Sequence, residues 1–106
     1  GEIMARGDVM SRKDREAHER RWEVVRQCLN SHDPIGLIAI GCPEDEYDPE
    51  VPGVLSAIRN AKDLHSLEQC IVTAFAVKFD RQTAMQFKGW KALAKELWDL
   101  SHSSAW

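Results

Sequence analysis

The chain has no apolar run approaching the roughly 18 residues that span a bilayer. Its first residues also lack the apolar block of a secretory leader. Membrane insertion is therefore not expected, and the chain is read as cytoplasmic. Cysteine is scarce and unpatterned: Cys28, Cys42 and Cys70 form no C-x-x-C pair, which argues against a zinc knuckle or a thioredoxin-type redox pair. They are read as reduced thiols, with Cys28 and Cys70 packed as small hydrophobes. No glycine-rich phosphate loop occurs, and no serine sits in a nucleophile-elbow context. His18–Glu19 begins like the zinc-protease pattern H-E-x-x-H, but Trp22 stands where the second histidine should be. His18, His32, His65 and His102 show no ligand spacing with cysteine. No catalytic residue, metal ligand or cofactor is assigned on these grounds.

What is present is one domain's worth of ordinary globular sequence, 106 residues with 43% hydrophobic and 29% charged content. Its charge is unevenly distributed. Residues 1–30 carry a net charge of +1, residues 31–60 carry −5, and residues 61–106 carry +1. An acidic middle repels phosphate, so nucleic acid is not expected on that face. The basic start of the first helix is interspersed with acids and reads as a solvated face.

Residues 1–11 have no periodicity and are read as a flexible N-terminal arm, leaving 12–106 as a single helical domain. A first helix is expected over about Ser11 to Ser31, with Ser11 as its cap and Trp22, Val25, Cys28 and Leu29 as its buried stripe. Pro34 disfavours helical geometry at Asp33 and ends it. Ile35 to Ile40 is read as a packed turn rather than a lone, unpaired strand. A second helix starts near Asp48–Pro49 or Glu50 and shows Val51, Val54, Leu55 and Ile58 inward. A third is capped by Asp63, with Leu64, Leu67, Ile71, Ala74, Phe75 and Phe79 as its stripe. Thr83 and Gln86 read as a capping box opening a fourth helix that runs through Gly89 to about Ser101. The fold class is thus all-α: a small antiparallel bundle of about four helices with a long acidic loop between the first two.

That loop carries the candidate site. Glu44, Asp45, Glu46, Asp48 and Glu50 surround Tyr47, the only tyrosine. Clustered charge around an aromatic anchor suits recognition of a basic protein partner. The same carboxylates are what a hard cation needs, although the spacing and central glycine of an EF-hand are missing. In a purely structural reading, Tyr47 and Pro43 pin the loop to the core while the acids favour the next helix N-terminus. His32 could also meet Cys42 and Asp45 in space. Glu16-x-x-Glu19 and Glu96-x-x-Asp99 are similar to the carboxylate pairs of helical pyrophosphohydrolases, but lie too far apart in sequence for that pattern.

Asp33–Pro34–Ile35, the run Pro43–Glu44–Asp45–Glu46–Tyr47–Asp48–Pro49–Glu50–Val51, and then Leu67, Ile71, Phe75 and Phe79, followed by Leu93–Ala94–Lys95–Glu96–Leu97, resemble the YugE-like family of small helical bacterial proteins. The resemblance covers residues 22–100 and implies an all-helical fold. The charged N-terminal arm stands outside it. A looser likeness in size and charge is to bacterial immunity proteins, small acidic helical bundles that mask basic nuclease surfaces. The expected function is a non-enzymatic, immunity-like protein-binding module that presents the acidic loop to a basic partner. The alternative is a metal-dependent hydrolase using the acidic-loop carboxylates.

Overall fold

The computed structural model describes residues 11–104 and 106. Apart from Ser11, the arm expected over residues 1–11 lies outside the described residues. Those residues are all-helical: α1 is Arg12–His32, a short 3-10 turn is Asp48–Glu50, α2 is Val51–Asn60, α3 is Leu64–Phe79, α4 is Arg81–Gln86 and α5 is Trp90–Ser101.

Local chemistry sets most of these boundaries. The Ser11 hydroxyl accepts from the Asp14 N–H at 3.1 Å and opens α1. The Asp63 carboxylate accepts from the Ser66 N–H at 2.8 Å and opens α3. At the end of α1, Asp33 turns left-handed (φ 49°, ψ 58°) and returns its N–H to Leu29. Asparagine and aspartate adopt that conformation more readily than most residues because their short polar side chains bond locally. Pro52 sits in the first turn of α2, where the backbone donor it lacks would have no helical partner.

One core joins the helices. Val25, Cys28 and Leu29 of α1, Val51, Val54, Leu55 and Ala57 of α2, Leu67, Ile71 and Phe75 of α3, and Trp90, Leu93, Ala94 and Leu97 of α5 are its buried side chains, together with Tyr47 and Ala84. α3 lies at the centre and packs against α2, α4 and α5, while α1 packs against α2 and α5. The charged first half of α1, largely exposed, holds the tail: the Arg21 Nε–H donates to the Trp106 carbonyl at 3.1 Å and its guanidinium stacks over the Trp106 ring at 5.5 Å.

Several expectations fail in the second half of the chain. The anticipated fourth helix is two helices, α4 and α5. The Thr83 cap is replaced by Asp80, whose carboxylate accepts from the Thr83 N–H at 2.7 Å and from the Thr83 hydroxyl at 3.2 Å. Asp80 has φ 84°, a left-handed value that separates α4 from α3. Gly89 is the residue before α5 rather than an interior helical position. The Phe87 ring folds over it to meet Trp90 edge-on, 4.9 Å between centroids. A Cβ on Gly89 would lie 2.7 Å from Phe87 Cζ, so glycine is what admits the ring. The Trp90 indole N–H closes the corner by donating to the Ala84 carbonyl at 2.8 Å. Cys70, expected to be packed, is exposed, because it sits on the side of α3 turned away from the core.

Gly89→Ala should destabilise the fold by about 1–3 kcal/mol, the usual range for overpacking, as read by denaturant unfolding. In a Phe87→Ala background most of that cost should vanish. An equal cost in both backgrounds would show that backbone conformation, rather than the ring, sets the requirement for glycine.

Candidate functional site

The connection between α1 and α2 is built around a bond between two side chains 14 residues apart. The Tyr47 hydroxyl donates to Asp33 Oδ1 at 2.7 Å. It also accepts from the Ile35 N–H at 3.0 Å and from the Leu37 N–H at 3.4 Å. Asp33 in turn accepts from the Ile38 N–H at 3.0 Å and the Ala39 N–H at 2.9 Å. Its own carbonyl accepts from the Gly36 N–H at 3.0 Å, in a turn where Gly36 takes φ 83° without a Cβ penalty. Four backbone donors of a non-helical segment are thus satisfied by one phenol and one carboxylate. Such a segment would otherwise leave partly buried N–H groups unpaired.

Burial pushes the Asp33 carboxyl up, but the donors from Tyr47, Ile38, Ala39 and Leu37 outweigh it and hold the group below its ordinary value. Burial, reinforced by the Asp33 carboxylate, pushes the Tyr47 phenol up to about 12.

The six expected partner-binding residues do not share one surface. Glu44, Asp45 and Glu46 are exposed, and no ion pair engages them among the described residues. Tyr47 is 0% exposed and therefore cannot be the aromatic anchor at a contact. It packs on Phe75 at 6.2 Å between centroids. Pro43, expected beside it as a pin, is exposed. Asp48 is taken by Arg26 of α1 in a two-pronged pair, Nε to Oδ1 at 3.0 Å and the terminal nitrogen to Oδ2 at 2.8 Å. Such fork geometry is the strongest form of carboxylate recognition, and it fastens the 3-10 turn to α1. Glu50 is half-buried. Its Oε2 has no hydrogen-bond partner, and burial pushes its carboxyl up against the opposing field of Lys78.

The exposed acids are nevertheless held in place. The Asn30 amide donates to the Glu44 carbonyl at 2.8 Å. The Glu46 N–H reaches the Pro43 carbonyl at 3.1 Å, and the Asp48 N–H reaches that of Asp45 at 3.0 Å. Arg26 and Asn30, and the part played by the Asp33 carboxylate, are what sequence reasoning missed. An arginine on the inward edge of α1 facing a known acidic segment was the available signal for Arg26; nothing local marks Asn30.

Metal-type groupings fare no better. His32 is engaged elsewhere: its Nε2 meets Glu96 of α5 at 2.7 Å. Cys28 is buried beside Glu96, and burial with that carboxylate pushes its thiol up to about 12, far from the reactive thiolate range. Glu16 lies beside Arg12 and Asp99 beside Lys95. Among the described residues no three histidine, cysteine or carboxylate side chains come together in a way that could hold a metal ion. No helix there is long and apolar enough to cross a membrane. Comparison of the chain with protein-family models, curated proteins and solved structures finds no match.

Tyr47→Phe should cost about 1–3 kcal/mol in denaturant unfolding, because it leaves buried polar partners unmatched. The pH dependence has two signs. Asp33 has a folded pKa below its ordinary 3.8, so its contribution is complete above that value and lost as pH falls through the folded one. Asp33→Asn should flatten this acid limb. Tyr47 has a folded pKa raised from 10 to about 12, so its contribution holds below 10 and is lost as pH rises through 12. With a single tyrosine in the chain, phenolate absorbance should report one transition near 12. A transition at 10 in folded protein would contradict the buried bond.

Proposed function

We propose that the chain is a non-enzymatic protein-binding module, immunity-like in its use of a small acidic helical scaffold. In this reading Glu44, Asp45 and Glu46 face a basic protein partner. The observation that supports it most is the contrast within the connection. Asp48 is paired with Arg26 and Tyr47 is buried, whereas the three acids between Pro43 and Tyr47 are exposed without an ion pair among the described residues. Carboxylates held on a fixed backbone lose little conformational freedom on binding, and their field speeds encounter with a cationic surface.

In the same reading the helices form a small antiparallel bundle that presents the acidic loop at one end. The residues shared with the YugE-like pattern have architectural jobs: Asp33 and Tyr47 make the buried bond, and Phe75 and Phe79 stack at 5.8 Å. We take the resemblance as one of fold. Nothing favours the hydrolase alternative over this reading, since among the described residues no three carboxylate, histidine or cysteine side chains come together in a way that could hold a metal ion.

Pull-down from the native host with wild-type chain should retain a basic protein that the Asp45→Lys/Glu46→Lys double variant loses. The melting transition of that variant should change by no more than about 0.5 kcal/mol, as for exposed positions generally. Retention of the same proteins by both forms would reject the acidic contact.

A further inference from the structure

From Gln69 to Val77, α3 reads Gln-Cys-Ile-Val-Thr-Ala-Phe-Ala-Val, nine residues without a charge in a chain that is 29% charged. A helix apolar on all sides is ordinarily enclosed. Here the Ile71–Phe75 side is buried and Val72 and Ala76 beside it are partly buried against the core. Thr73 and Val77 lie two residues on either side of Phe75, about 200° around the helix from it, and both are exposed. Beside them runs a groove of about 480 Å³ between α3 and α4, lined by Val72, Ala76, Val77, Arg81, Ala84 and Met85 among others. Val77 is 83% exposed and Met85 63%.

Among the described residues one further large hydrophobic side chain is exposed: Ile40, at 77%. It projects from the α1–α2 connection a few residues before Glu44, Asp45 and Glu46. The charges match in kind. Arg81 lines the groove, no carboxylate does, and Arg81 makes no ion pair among the described residues. The nearby Asp80 carboxylate is engaged by Thr83. A copy's own Ile40 is badly placed for its own groove, because Tyr47 fastens the connection toward Phe75, on the opposite side of α3.

The geometry points to a second copy of this chain as the occupant of the α3–α4 groove, with Ile40 inserted between Val77 and Met85 and the acids that follow it facing Arg81. This rests on the acidic connection being a binding surface and names a partner for it. Because the knob lies on the Phe75 side of α3 and the groove on the other, one neighbour cannot fill both at once, and the contact is head-to-tail rather than two-fold. It leaves a free knob at one end of an assembly and a free groove at the other.

Sedimentation velocity of the full chain up to millimolar concentration tests this. Wild type should self-associate, and more weakly in high salt, since screening acts on the Arg81 side of the contact. Ile40→Asp and Val77→Glu should each weaken association at least about tenfold, with thermal melts matching wild type because both positions are exposed. Mixed together, the two variants should form a dimer and nothing larger, because the intact knob of one fits the intact groove of the other. A wild-type chain that is monomeric throughout would overturn the inference. So would a mixture that stays monomeric while wild type associates. Loss of a different basic protein by Asp45→Lys/Glu46→Lys, with the wild-type chain monomeric, would overturn the self-contact alone and leave the acidic surface standing.

Discussion

The bond from the Tyr47 hydroxyl to Asp33 governs how the long connection between α1 and α2 is held. A non-helical segment of this length lacks a helix ladder, and its own turns leave the N–H groups of Ile35, Leu37, Ile38 and Ala39 to be satisfied by side chains. The phenol and the carboxylate supply that need from opposite ends of the segment, and each is matched by the other. Asp33 serves three further purposes at once: it ends α1 in the left-handed conformation, accepts from Ile38 and Ala39, and fixes the direction in which Tyr47 enters the core. The exposed acids owe their positions to a buried phenol and to the partly buried side chains of Asp33, Arg26 and Asn30.

Electrostatics and packing divide the labour cleanly. Arg26 with Asp48 secures the far end of the connection to α1, and His32 with Glu96 links the end of α1 to α5. Both pairs are partly exposed, so each contributes modestly in water. Cohesion comes instead from the apolar side chains gathered around α3, chiefly Phe75 with its three ring neighbours, Tyr47, Phe79 and Trp90. The polar pairs join particular surfaces, and the rings hold them there.

Much of this architecture is legible in the chain itself. The period of Leu67, Ile71 and Phe75, the caps at Ser11 and Asp63 and the break at Asp33–Pro34 are local signals, and each acts where it is written. The failures are of another kind. Thr83 and Gln86 have the letters of a capping box, yet Asp80, three residues earlier, takes the Thr83 N–H, and the helix it opens ends at Gln86, before Phe87 folds over Gly89 onto Trp90. Tyr47 among acids looks like a surface anchor, and only the distant Asp33 and Phe75 turn it inward. Asp48 looks free until Arg26, 22 residues earlier, is brought beside it. Local propensity is readable from neighbours in sequence; the fate of a polar or aromatic side chain depends on neighbours in space.

The rings of Tyr47, Phe75, Trp90 and Phe87 touch in series, a column running from the base of the acidic connection to the corner before α5. Force applied to the outer residues is therefore carried inward through stiff aromatic plates. The connection is braced like a cantilever seated in a wall, and its stiffness draws on the rigidity of the whole fold.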